Sequence, residues 1–208
     1  TDRMEQKGNG NVFTVVLDNS APVTTLFSNR PVIKKDNTLF TAPSAVFSIK
    51  AEDQYSGVSS VVYTLNENEM KPYANSFTLP ADRKETAVKI TSTDNVSIAT
   101  KKFTLKALDQ QGADVAVSDS VVTLTTDSTA PEVAITANRE IVKKDDRNIV
   151  ARDYLFSIDA KDSESGVSEV MIRLDDEKTF KRYSEAFSFN THGNHTIEAK
   201  AVDKVGNI

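Results

Sequence analysis

The chain repeats itself. Asp18-Asn19-Ser20-Ala21-Pro22-Val23 recurs as Asp127-Ser128-Thr129-Ala130-Pro131-Glu132-Val133, an interval of 109 residues. The same interval carries Asn29-Arg30 onto Asn138-Arg139 and Ile33-Lys34-Lys35-Asp36 onto Val142-Lys143-Lys144-Asp145. It carries Phe47-Ser48-Ile49 onto Phe156-Ser157-Ile158 and Ser56-Gly57-Val58 onto Ser165-Gly166-Val167. Matches in one order at one interval require two units of the same kind. A chain of 208 residues has room for them, at roughly 100–150 residues per domain.

The interval then changes. Tyr73 and Phe77 align with Tyr183 and Phe187, one residue out of step. Phe103-Thr104-Leu105-Lys106-Ala107-Leu108-Asp109 aligns with Ile197-Glu198-Ala199-Lys200-Ala201-Val202-Asp203 at an interval of 94. This alignment assigns roughly 15 extra residues, a loop-scale insertion near 80–100, to the first copy. The rival alignment of Asp94 with Asp203 forfeits the Lys-Ala-Leu-Asp match and is set aside. The division is then 1–17 as the last strand of a preceding repeat, 18–126 as repeat 1, and 127–208 as repeat 2 without its final strand. Such ends fit a segment cut from a longer array, or a permuted unit whose first strand completes another copy.

Apolar residues alternate with polar ones. Phe47, Ile49 and Ala51 oppose Ser48 and Lys50; Phe156, Ile158 and Ala160 oppose Ser157 and Asp159. Val61, Tyr63, Leu65 and Val170, Ile172, Leu174 do the same. Period two over five to eight residues, bounded by Gly, Asn, Asp and Ser, reads as half-buried antiparallel strands. No window carries a helical stripe. The expected class is all-β: tandem immunoglobulin-like Greek-key β-sandwiches of about seven strands each.

Composition narrows function by exclusion. There is no cysteine, hence no disulfide and no thiolate chemistry. Net charge is −5 and basic runs such as Lys34-Lys35 stop at two residues, which disfavours nucleic acid. No apolar run approaches a membrane span. The Gly-x-Ser-x-Gly elbow, the phosphate loop and the dinucleotide fingerprint are all missing.

The Asp-x-x-Ala-Pro linkers, Ala-x-Asp-x-x-Ser-Gly-Val, Tyr-x-x-x-Phe, and Gly193-Asn194-His195-Thr196-Ile197 running into Asp203-x-x-Gly206-Asn207 carry a resemblance. Together they resemble the bacterial immunoglobulin-like repeats of surface adhesins, envelope proteins and extracellular multidomain proteins. Copy one departs from the pattern at Ala113, where the second copy has Asn207. The resemblance implies a non-catalytic structural spacer or adhesion segment of a repetitive exported protein, extracellular, at the cell surface or periplasmic. The alternatives are an accessory carbohydrate- or protein-binding module of an extracellular enzyme, or a scaffold subunit of a cell-envelope machine. Other repeats of the same chain and an unidentified protein or glycan ligand are the expected partners.

The candidate sites are carboxylates. In such a fold the linker, the B–C loop and the F–G loop lie at one end of each sandwich. Asp18, Asp53 and Asp109 would meet there in copy one, and Asp127, Asp162 and Asp203 in copy two. Three oxygen-bearing residues could hold calcium, a hard cation that takes six to eight oxygens, and related adhesins use calcium at their joints. Against this stand two plainer roles: Asp as a turn cap through neighbouring amides, and pairing across the joint with Lys34 and Lys35. No cofactor other than calcium is expected. Tyr55, Arg83 and Lys84 are the residues a partner would meet. His192 and His195, the only histidines, read as a solvated turn. Tyr73 and Tyr183 recur at equivalent positions, which argues for packing over a sugar platform.

Overall fold

The computed structural model describes residues 12–108 and 114–208. Among them there is no helix. The N-terminal half contains β1 (Val23–Ser28), β2 (Val32–Lys35), β3 (Thr38–Thr41), β4 (Val46–Glu52), β5 (Val58–Leu65), β6 (Lys71–Pro72), β7 (Phe77–Thr78), β8 (Glu85–Asp94), β9 (Ala99–Thr100), β10 (Phe103–Leu108), β11 (Asp114–Asp119) and β12 (Val122–Thr126). The C-terminal half contains β13 (Glu132–Ala137), β14 (Val142–Lys144), β15 (Arg147–Ile149), β16 (Phe156–Lys161), β17 (Val167–Leu174), β18 (Lys181–Arg182) and β19 (Ile197–Asp203).

In the N-terminal half two sheets form, ordered β11-β10-β1-β4-β7 and β2-β3-β12-β8-β5-β6. The alternation seen in the sequence sends one face of each strand inward. Leu26, Phe47, Ile49, Phe103 and Leu105 come from the first sheet, and Val88, Ile90, Val122 and Leu124 from the second. All are buried, and each such side chain contributes about 1.5–3 kcal/mol by leaving water. Tyr63 stacks on Phe77 with centroids 4.5 Å apart, and Phe77 stacks on Phe47 at 5.9 Å. Tyr73 meets Tyr63 edge-on, so it packs against the core as its recurrence suggested.

The C-terminal half repeats part of this plan. β13 pairs with β16 as β1 pairs with β4, and β17 pairs with β19 as β5 pairs with β8. Both of the latter pairs carry an irregularity at their start, between Val58 and Ser60 and between Val167 and Glu169. The hairpin β14-β15 and the sheet β18-β17-β19 remain separate, whereas β12 joins their counterparts into one sheet in the N-terminal half.

This register corrects the placing of the insertion. Val58 lies opposite Asp94, and Val167 lies opposite Asp203. β8 is therefore the partner of β19, at the original interval of 109 residues, and residues 85–94 are a central strand instead of inserted loop. The hairpin β10-β11 follows and adds to the edge of the other sheet through parallel pairing of β10 with β1. Identity matching chose β10 because it has the same in–out alternation as β19. Phe103, Leu105 and Ala107 face the core, as inward positions of any such strand would.

Residues 12–17 join no strand of the described chain, and Val12, Phe13, Val15, Val16 and Leu17 are exposed. Among the described residues no helix is long and apolar enough to cross a membrane.

Candidate functional site

Two carboxylate trios occupy equivalent places. Asp18, Asp53 and Asp94 each offer an oxygen within 4.8 Å of the others, and so do Asp127, Asp162 and Asp203. Five of the six aspartates expected from the sequence stand in these trios. Asp109 lies outside the described residues, and Asp94 stands where it was expected. The signal for Asp94 was present: Asp94-Asn95-Val96 precedes Asp203-Lys204-Val205 by 109 residues.

Each aspartate holds a turn. Asp53 Oδ1 accepts from the amides of Tyr55, Ser56 and Gly57 at 3.1, 2.9 and 2.9 Å. Asp162 Oδ1 accepts from Glu164 and Gly166 at 3.1 and 2.6 Å. Gly57 and Gly166 take φ of 78° and 88°, which lets the loop curl back over the carboxylate. Asp94 Oδ1 accepts from Val96 and Ile98, at 3.0 and 2.7 Å. Asp203 Oδ1 accepts from Val205, Gly206 and Asn207 at 2.9, 2.6 and 2.8 Å. Asp18 and Asp127 tie the linker to the loop, accepting from Ser56 at 3.1 Å and Ser165 at 2.9 Å. Turn capping is thus one role of every member of both trios.

The trios are also concentrations of negative charge. Asp94, Asp127 and Asp203 are buried. Carboxylates this close repel one another more strongly away from water, and the converging amides act against that repulsion. The Oδ2 atom of Asp94 is buried and has no hydrogen-bond partner among the described residues. The Ser56 hydroxyl beside Asp18, with the amides of Ser20 and Ser56, holds the Asp18 carboxyl down at about 2. A hard cation that prefers oxygen would suit either trio.

The second trio sits at the joint between the halves. The Asp127 amide donates to the Thr41 carbonyl at 3.0 Å, and Asn207 Nδ2 donates to the Asp127 carbonyl at 3.0 Å. Lys35 Nζ reaches across to the carbonyls of Ser163 and Glu164 at 2.9 and 2.7 Å. Lys84 Nζ pairs with Glu164 Oε1 at 2.8 Å. Val205 drops from the Asp203 turn into a small apolar cluster with Ile33, Ala42 and Phe40. Lys35, expected to pair with the aspartates, contacts instead the backbone carbonyls of the loop. Lys34 is exposed. Lys84, expected to face a partner, is exposed and pairs with Glu164 of the other half. Arg83 and Tyr55 are exposed.

The contribution of Val205 was not read from the sequence. Its signal is an apolar residue between two polar turn positions, at the end of the sandwich instead of on a strand. His192 is exposed, while His195 accepts a defined place: its ring stacks on Phe189 at 4.1 Å, and Nδ1 lies 2.9 Å from Asp175. The Asp175 carboxylate, with the Thr191 carbonyl, raises the His195 pKa above its ordinary value. The two histidines do not converge with a third ligand among the described residues.

The chain matches no protein-family model, and no curated protein is significantly similar to it in sequence.

Proposed function

We propose that the chain is a pair of tandem immunoglobulin-like Greek-key sandwiches acting as a non-catalytic, load-bearing spacer or adhesion segment of an exported, surface or periplasmic protein. The observation that carries this reading is the joint. Polar contacts from Lys35, Lys84 and Asn207 ring an apolar contact of Val205 with Ile33 and Ala42. Such a joint fixes one sandwich on the next, whereas a flexible tether would leave them independent. The tandem reading rests on equivalent hydrogen bonds one repeat apart. Asn95 donates to the Gly57 carbonyl as Lys204 does to Gly166, and Asn66 donates to Ala87 as Asp175 does to Thr196.

Small-angle scattering tests the spacer reading. The native chain should give an extended profile described by one inter-domain angle. Val205→Asp, which places a charge in the apolar contact, should broaden it to a distribution of angles. A native profile already as broad as the variant's removes the reading.

Calcium at the Asp127, Asp162 and Asp203 trio belongs to the same proposal, as an ion that stiffens the joint. Binding to the folded state raises the melting temperature by mass action. Equal melting temperatures in millimolar calcium and in chelator would dispose of it.

A scaffold role in an envelope assembly is the second reading. The hairpin β10-β11 favours it, because it widens one sheet of the N-terminal half at its edge. Pull-down with and without residues 101–120 would separate the two readings: a partner lost with the hairpin supports the scaffold.

A further inference from the structure

Two Asn-x-Ser/Thr triplets occur in the chain, Asn95-Val96-Ser97 and Asn194-His195-Thr196. This spacing is the acceptor pattern for N-linked sugar on surface loops, with the hydroxyl residue two places after the asparagine. The pattern alone is common in sequences, and the surroundings of the two triplets set them apart.

Asn95 is committed to its turn. Its Nδ2 donates to the Ser56 carbonyl at 2.7 Å and its amide to the Gly57 carbonyl at 3.1 Å. Ser97, the hydroxyl residue of that triplet, is held at φ of 71° in the left-handed region. A transferase would have to break this turn to reach the amide nitrogen.

Asn194 is free. It is exposed, and its side chain makes no hydrogen bond among the described residues. Gly193 before it takes φ of 143°, and a Cβ at that position would meet nothing within 4 Å, so the turn stands clear of its surroundings. His195 faces inward. Its ring stacks on Phe189 at 4.1 Å, Nδ1 lies 2.9 Å from Asp175, and Nε2 lies 3.1 Å from the Thr191 carbonyl. The Thr196 amide donates to Asp175 Oδ1 at 2.8 Å, which fixes the other side of the triplet. The middle residue therefore anchors the triplet, while Asn194 and Thr196 are both exposed on either side of it. The exposure does not depend on an open edge. Glu85, the counterpart of Asn194 one repeat earlier, stays exposed with Thr125 of β12 paired beside it.

We infer that Asn194 is a site of N-linked glycosylation, accepting sugar from a nucleotide-diphosphate sugar, and that folded Asn95 is not. In the transfer Asn194 Nδ2 bonds to the anomeric carbon of the sugar. The bond from that carbon to the phosphate oxygen breaks, the nucleotide diphosphate leaves with the electron pair, and Nδ2 gives up a proton to the transferase. A sugar at this position lies outside the turn and leaves the contacts of His195 and Phe189 in place.

The test uses the folded whole chain, a soluble glucosyltransferase that recognises Asn-x-Ser/Thr, and UDP-glucose. Intact-mass measurement should show the gain of one hexose, and peptide mapping should place it on Asn194. Asn194→Gln and Thr196→Ala should abolish the transfer, while Thr196→Ser should keep it. All three positions of substitution are on the exposed turn, and thermal melting verifies that the variants fold. A synthetic peptide of residues 90–100 should accept glucose at Asn95, because only the fold withholds that amide. The inference is overturned by a native chain that gains no hexose, by transfer to folded Asn95 equal to that at Asn194, by undiminished transfer to Thr196→Ala, or by refusal of the 90–100 peptide. None of these outcomes bears on the inter-domain angle, so the spacer reading stands or falls separately.

Discussion

The two halves share their loops and differ in their edges. Both hold a carboxylate trio over the same turn, with left-handed backbone at Asp36 and Asp145, at Asn66 and Asp175, and at Ser97 and Gly206. Yet the N-terminal half closes its core with β10 and β12, while the second half is given only as far as Ile208, which matches Ala99, before either strand. Loop chemistry is local, so it is the same in both surroundings. Burial is collective, so it is not. Ile135 and Leu26 have almost the same side chain and opposite surroundings.

The largest effect should come from emptying the two cores at one position. Phe47→Ala should cost about 3–5 kcal/mol, the range for a buried phenylalanine. Phe156→Ala should cost less, because the C-terminal core is open on one side and can collapse or admit water. Denaturant unfolding of both variants checks this; equal losses would mean that β10 and β12 add little to the support of Phe47.

Next is the apolar contact of the joint. Val205→Ala should destabilise by about 1–2 kcal/mol, and Val96→Ala, its exposed counterpart, by almost nothing. Comparable effects at both sites would show that Val205 acts through its own turn and not through Ile33 and Ala42.

The halves should also part company in pH. His195 faces Asp175, whereas Thr86 and Asn66 occupy the matching positions of the N-terminal half and do not titrate there. Because Asp175 raises the His195 pKa, protonated His195 favours the folded state. That stability is fully present below the unfolded value of about 6.5 and is lost as pH rises through the higher folded value. The C-terminal half should therefore lose stability as pH rises above about 6.5, and His195→Gln should flatten the profile. Nuclear magnetic resonance titration of the ring gives the folded value directly.

The smallest effect belongs to Lys84 and Glu164. The lysine is largely exposed, so a double-mutant cycle should give a weak coupling that fades with salt. A coupling insensitive to salt would place the pair deeper in the joint than its exposure indicates.

Much of this was legible in the residues. Alternation at Phe47, Ile49 and Ala51 announces a strand wherever it packs, because period two is a property of the extended backbone. Asp53 and Asp162 announce their turns, because a carboxylate two to four residues before amides caps them locally. The third member of the first trio was not legible by the same means. Asp109 and Asp94 both end an alternating apolar run, and residue identity favoured Asp109. Only the pairing of β8 with β5 brings Asp94 beside Asp53.

The sequence by itself determined the period of the chain, its all-β character and the aspartates of its turns, since each follows from contacts a few residues long. The tertiary structure decided which strand is central and which is added at an edge, and it drew Val205, Lys35 and Lys84 into one joint. Those outcomes depend on hydrogen bonds and burial between segments as far apart as Lys35 and Glu164, and no local pattern encodes which of two similar strands a neighbour will take.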